Sequence, residues 1–128
     1  MDDSKINFLY KIFHTSHEIP PLSLEIPIQL TSLDKKDGFI HLSNSIQVMQ
    51  TAIRFFENED EIIVLKIPYN QNGIKENVKW EAPPGTFEYF PHLYGDLLAK
   101  YIVNIAKVKN LKKFGNEGFE WPEGWLEM

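Results

Sequence analysis

The chain has 128 residues, 43% of them hydrophobic and 24% charged, with a formal net charge of −5; these values fit one ordinary globular domain with a single core. It contains no cysteine, which excludes disulfides, thiolate metal sites and cysteine nucleophiles together. The acidic balance argues against nucleic-acid binding, because phosphate recognition needs a positive field.

Lys107, Lys109, Lys112 and Lys113 cluster late in the chain and read as a solvated face rather than a nucleic-acid patch. The longest apolar runs, such as Ile62-Ile63-Val64-Leu65, fall far short of the roughly 18–20 residues that span a bilayer. The start, Met1-Asp2-Asp3-Ser4-Lys5, is polar with no hydrophobic segment behind it. A cytosolic location is the expectation.

In chain order, residues 7–13 are rich in β-formers and predict a first strand. Residues 19–33 carry Pro20, Pro21 and Pro27, so that stretch is an irregular loop with at best one short helix. Gly38 supplies a turn before a short second strand over 39–42. Asn44 with Gln47 three residues later has capping-box spacing. Ile46, Met49, Ile53 and Phe56 then recur at helical spacing, with Val48, Ala52 and Phe55 widening the stripe.

Residues 62–67 read as a strand buried on both faces and stopped by Pro68. Residues 69–73 are turn chemistry. Residues 78–81 alternate like a half-buried strand, 87–94 are aromatic and extended, and 101–108 alternate again. The sum is five or six strands with one main helix. This is an α+β single domain, residues 1–128, with mixed, mostly antiparallel sheets. Residues 110–128 form a surface tail whose Trp121 and Trp125 dock onto it.

Two segments stand out for chemistry: Asp37-Gly38-Phe39-Ile40-His41-Leu42-Ser43 and Phe90-Pro91-His92-Leu93-Tyr94-Gly95. Each sets a histidine among apolar and aromatic residues, where an unpaired polar group costs on the order of 1–3 kcal/mol. On a strand, Phe39, His41 and Ser43 share a face and suit a ribose-like polyol; a core histidine bonded to a backbone carbonyl is the competing reading. His92 and Tyr94 share a face too. His92 can act as acid or base near neutral pH, with Phe90 and Tyr94 as stacking walls. The alternative is an aromatic loop that closes the core.

Glu81 sits at a strand end, where catalytic carboxylates often lie, although a solvated glutamate explains it as well. Thr51 either lines the same site or bonds a carbonyl one turn back, and an exposed salt bridge is the simpler reading of Arg54. His14 and His17 make half a metal site with no second half at useful spacing, so no metal is expected. Phosphate-cradling glycine loops and nucleophile elbows are absent from the sequence.

The order Leu9-Tyr10-Lys11-Ile12, the two histidine segments, Gln47, Thr51-Ala52, Phe55-Phe56, residues 63–67 and Trp80-Glu81 resembles a small bacterial family, domain-of-unknown-function family 952, over residues 7–109. That family is similar to the ADP-ribosyltransferase superfamily, which binds NAD in a cleft between two small sheets. The resemblance implies an ADP-ribosyltransferase-like fold and NAD or a related nucleotide as ligand.

By that likeness His41 and Ser43 line the ligand pocket and His92 or Tyr94 approaches a third motif. Lys11 falls where those enzymes place a ribose-binding histidine. The RNA 2′-phosphotransferases of the superfamily carry a Gly-Arg-Arg segment after the helix. This chain does not, which argues against that activity, and no thioredoxin-like start supports a glutathione transferase. Two readings follow. One is a nucleotide-binding enzyme or degenerate enzyme using His41, His92 and Glu81, with Lys11, Phe39, Ser43, Thr51, Phe90 and Tyr94 around the ligand. The other is an interaction module presenting its aromatic loop to a protein partner. The sequence leaves oligomeric state open.

Overall fold

The computed structural model describes residues 2–116 and 118–128. Met1 and Glu117, which belong to the polar start and the expected tail, lie outside the described residues. The strands are β1 (Phe8–His14), β2 (Ile40–His41), β3 (Glu61–Pro68), β4 (Val78–Glu81), β5 (Phe90–Leu93), β6 (Asn104–Asn110) and β7 (Phe119–Glu120). Two helices, α1 (Ser32–Asp37) and α2 (Gln47–Phe55), lie on either side of β2 in the chain.

One sheet has the order β1-β3-β6-β7 and the other β2-β5-β4. Every strand pair is antiparallel, so the mixed pairing expected from sequence gives way to purely antiparallel sheets. The strand expected over 101–108 starts later, at Asn104, because residues 99–101 turn in a short 3₁₀ segment.

The two faces of the four-stranded sheet bury different layers. Leu9, Phe13, Ile63, Leu65 and Ile67 point one way and meet Ile40, Leu42 and Leu93 of the three-stranded sheet in one apolar cluster. Tyr10, Ile12, Ile62, Val64 and Val108 point the other way, against Val48 and Ala52 of α2 and the half-buried Trp121, Trp125 and Leu126 of the tail. β3 is therefore buried on both faces, as its unbroken run of β-branched and leucine residues requires.

Among the described residues one backbone bridge ties β1 to the chain just after β2. Tyr10 N–H donates to the Ser43 carbonyl (2.8 Å), and Ser43 N–H donates to that of Tyr10 (3.0 Å).

The last residues pack on the four-stranded sheet: β7 pairs with the end of β6. Lys66, buried on the tail side, donates to the Trp125 carbonyl at 2.8 Å and pairs with Glu127, with its Nζ 4.5 Å from the Phe8 ring centre. Tyr10 Oη donates to the Glu127 carbonyl at 2.9 Å. Among the described residues no helix is long and apolar enough to cross a membrane.

The capping box forms: Gln47 N–H donates to Asn44 Oδ1 (2.8 Å) and Asn44 N–H to Gln47 Oε1 (3.1 Å). The buried stripe of α2 differs from the expected one. Val48 and Ala52 are fully buried, whereas Ile46, Met49, Ile53 and Phe55 are exposed. Small side chains let the helix lie close on the sheet, and the bulkier residues turn outward. Asn44→Ala is expected to cost about 1 kcal/mol, read as a lower urea midpoint with an unchanged slope.

Candidate functional site on the outer face of the three-stranded sheet

Strand register builds the site. His41 lies opposite His92, and His92 lies opposite Lys79, so all three occupy one cross-strand row and share a face. Residues two apart join them there: Phe90 and Glu81, themselves a cross-strand pair, with Phe39 and Tyr94 just beyond the strand ends. The alternate residues Ile40, Leu93, Val78 and Trp80 go to the core. Of Trp80 and Glu81, which must face opposite ways, the tryptophan is the core residue. The histidine face is thus the outward one, and side chains from both sheets fill the space between them.

The two imidazoles come together with ring centres 5.5 Å apart. Phe39 stacks on His92 at 4.0 Å and lies 4.6 Å from His41 and 5.3 Å from Tyr94. Its ring is thereby engaged within the protein. Glu81 Oε1 accepts from Tyr94 Oη (2.7 Å) and pairs with His92 Nδ1 (2.8 Å). These two hydrogen bonds, the tyrosine's first, hold the Glu81 carboxyl below its usual pKa. Bonding to Glu81 in turn raises the pKa of Tyr94. Burial lowers the pKa of His92 against the opposing pull of Glu81. A neutral ring that donates from Nδ1 keeps its Nε2 lone pair as an acceptor.

His41 is held differently. Its Nδ1 faces Asp34 Oδ1 at 2.6 Å and its Nε2 faces Asp37 Oδ2 at 3.0 Å. The contact to Asp34 is a hydrogen bond, and the one to Asp37 is a close approach of a carboxylate to the second ring nitrogen. Asp34 is the deeper of the two, its side chain 1% exposed, and its other oxygen meets Lys11 Nζ at 2.8 Å. Lys11 also donates to the His41 carbonyl at 3.0 Å. Burial pushes the Asp34 pKa up, but hydrogen bonding to His41 and the Lys11 charge outweigh it, leaving the carboxyl below its ordinary value. Burial lowers Lys11 by more than Asp34 raises it.

Local sequence explains how α1 presents these carboxylates. Thr31 caps the helix by accepting from Asp34 N–H (3.1 Å), and Gly38, at φ 82°, ends it in the left-handed region that glycine tolerates.

The structure therefore gathers His41, His92, Glu81, Phe39, Phe90 and Tyr94 on one face, with Lys11 beneath it. Ser43 and Thr51 belong elsewhere: their hydroxyls face each other at 3.5 Å under the start of α2. Asp34, Asp37 and Lys79 join the cluster in the structure. For two of them the sequence carries a signal, since Lys79 alternates with Glu81 on β4 and Asp37 stands four residues before His41. A shallow depression of about 160 Å³ adjoins the cluster, shares Phe39 and Asp34 with it, and is bounded by Leu30, Gly38, Gly95 and Asp96. Among the described residues no group of three or more His, Asp or Glu side chains is placed to hold a metal ion.

Two outcomes are expected. Lys11→Met strands a buried carboxylate and is expected to destabilise the fold by about 3–5 kcal/mol in urea unfolding, with most of the loss restored in Lys11→Met/Asp34→Asn. For His92 the depressed folded-state pKa means that the unfolded chain binds the proton first. Its contribution is present above the ordinary value of 6.5 and lost as pH falls through the folded-state value. The urea midpoint should decline as pH falls below the ordinary value of 6.5, and His92→Gln should flatten that decline.

The model of the family described as "Protein of unknown function (DUF952)" matches residues 22–105. Solved structures of CC0527 from Caulobacter crescentus share the fold. Its crystal structure is 29% identical, with a TM-score of 0.67 over 80% of this chain and 87% of that one. A double mutant of the same protein gives 30% identity and a TM-score of 0.68 over the same shares. The solution NMR structure gives 30% and 0.66, over 80% and 85%. No curated protein matches the chain. With two thirds of its length matched by the family model and the fold shared with CC0527, the chain belongs to the DUF952 family.

Proposed function

We propose that the chain binds NAD or a related nucleotide on the outer face of the three-stranded sheet, as a small enzyme of ADP-ribosyltransferase type or a degenerate form of one. The observation that carries this reading is the cross-strand His41–His92 pair, walled by Phe39, Phe90 and Tyr94 and backed by Glu81. His92 Nε2 suits a donated ribose hydroxyl. Tyr94 and Phe90 offer rings to a planar base, and Lys79, 4.8 Å over the Tyr94 ring, suits a phosphate. The groups present fit such a ligand.

In a glycosidic cleavage, charge builds toward an oxocarbenium-like state, and a carboxylate kept anionic beside it lowers the barrier. Glu81, held below its usual pKa by Tyr94 and His92, meets that requirement. The resemblance of the Gly38-to-Ser43 segment and its following helix to the second motif of the ADP-ribosyltransferases supports the same reading. A cytosolic location is part of the proposal.

One observation favours a second reading, a protein-interaction module. Phe87 is 96% exposed and Tyr89 46%, on a loop pinned to α2 by Gln47, which donates to the Tyr89 carbonyl at 2.7 Å. Exposed aromatics of this kind mark partner sites.

Titration with NAD or ADP-ribose separates the two. The imidazole NMR signals of His41 and His92 should move in a saturable manner. Signals that stay fixed at about millimolar ligand would remove the nucleotide reading and leave the module.

A further inference from the structure

The two histidines face each other in unlike settings. His92 donates from Nδ1 to Glu81 and keeps Nε2 as a free acceptor. His41 has a carboxylate oxygen 2.6 Å from Nδ1 and 3.0 Å from Nε2, partners suited to a ring with a proton on each nitrogen. Their ring centres are 5.5 Å apart, in one row with Lys79. A base and an acid at that spacing straddle a single reacting centre, with a cation beside it.

The surroundings narrow the chemistry. No covalent nucleophile serves the cluster: Tyr94 Oη is committed to Glu81, and Ser43 Oγ faces Thr51. The attacking group must be water or a hydroxyl of the ligand. Imidazoles match proton transfer near neutral pH, and Lys79 favours an anionic centre. Glu81, Asp34 and Asp37 keep the face from being strongly cationic, which suits a small ligand rather than a polyanion.

From these groups we infer that His92 and His41 act as general base and general acid in the hydrolysis of a cyclic phosphate diester of a nucleoside. This deepens the nucleotide reading above and rests on it. His92 Nε2 takes a proton from water as the water oxygen bonds to phosphorus. The bond from phosphorus to one ribose oxygen breaks, and that oxygen, displacing Asp37 from beside His41 Nε2, leaves with a proton from that nitrogen. The product is a nucleoside monophosphate. His92 then carries a proton and His41 lacks one, and exchange with solvent restores both. Asp34 and Asp37 are positioning residues for His41, as Glu81 is for His92.

The test follows 2′,3′-cyclic AMP with the full chain by phosphorus NMR, alongside the imidazole signals. Conversion to the adenosine monophosphate is expected, with a bell-shaped pH profile. His41→Asn and His92→Gln should each slow it by about 10²-fold or more while the near-UV circular dichroism is kept. Conversion undiminished in either folded variant would overturn the acid–base pair. If a variant does not fold, the profile of the unaltered chain decides: two limbs support the pair, and a flat or one-limbed profile overturns it. No conversion, with His41 and His92 signals that nonetheless shift, overturns the chemistry and leaves the nucleotide site standing. No conversion with no shift overturns both.

Discussion

The arrangement depends on one buried contact, the ion pair of Lys11 with Asp34. Lys11 rises from β1 into the apolar layer between the sheets, where an unpaired charge is costly. Asp34 meets it from α1, and the His41 carbonyl takes a second ammonium proton. β1 is thereby tied at one point to α1 and β2, which lie some way along the chain from it. The pair need not be strongly stabilising against an apolar alternative. Its effect is positional: α1 must sit where its carboxylate reaches the lysine, and that placement also delivers Asp34 and Asp37 to the imidazole of His41.

The face so assembled divides labour between its two histidines by environment alone. His92 is packed under Phe39 and answers to one carboxylate. His41 is more open, yet lies between two. Like side chains thereby meet unlike surroundings, one carboxylate and burial for His92, two carboxylates for His41. The same outward face carries Lys79, Tyr94 and Phe90, because β4 and β5 alternate strictly and give their other residues to the core. Polar function and apolar packing are two sides of one small sheet.

Much of this was legible in the sequence. The β-branched run of β3 marked a doubly buried strand, Asn44 and Gln47 marked the start of α2, and the two histidine segments marked side chains that share one outward face. The α2 stripe was misread because periodicity shows that a helix has a face but not how close its neighbour lies; here Val48 and Ala52, the smaller side chains, won. Ser43 shared a face with His41 by strand alternation, but β2 ends at His41, and the backbone bridge to Tyr10 carries Ser43 towards Thr51. Asp34 escaped notice because its partner, Lys11, lies across the fold in another strand. No local pattern announces such a pairing.

β2 is only two residues long, too brief to define its own alignment. Strand side chains alternate with a period of two, so a displacement of one residue would carry Ile40 into solvent and His41 into the hydrocarbon layer. Lys11's grip on the His41 carbonyl and the Tyr10–Ser43 bridge flank the short strand and forbid that slip. The phase of the strand, and with it which of two neighbouring side chains ever sees water, is thus dictated by β1 from the opposite sheet.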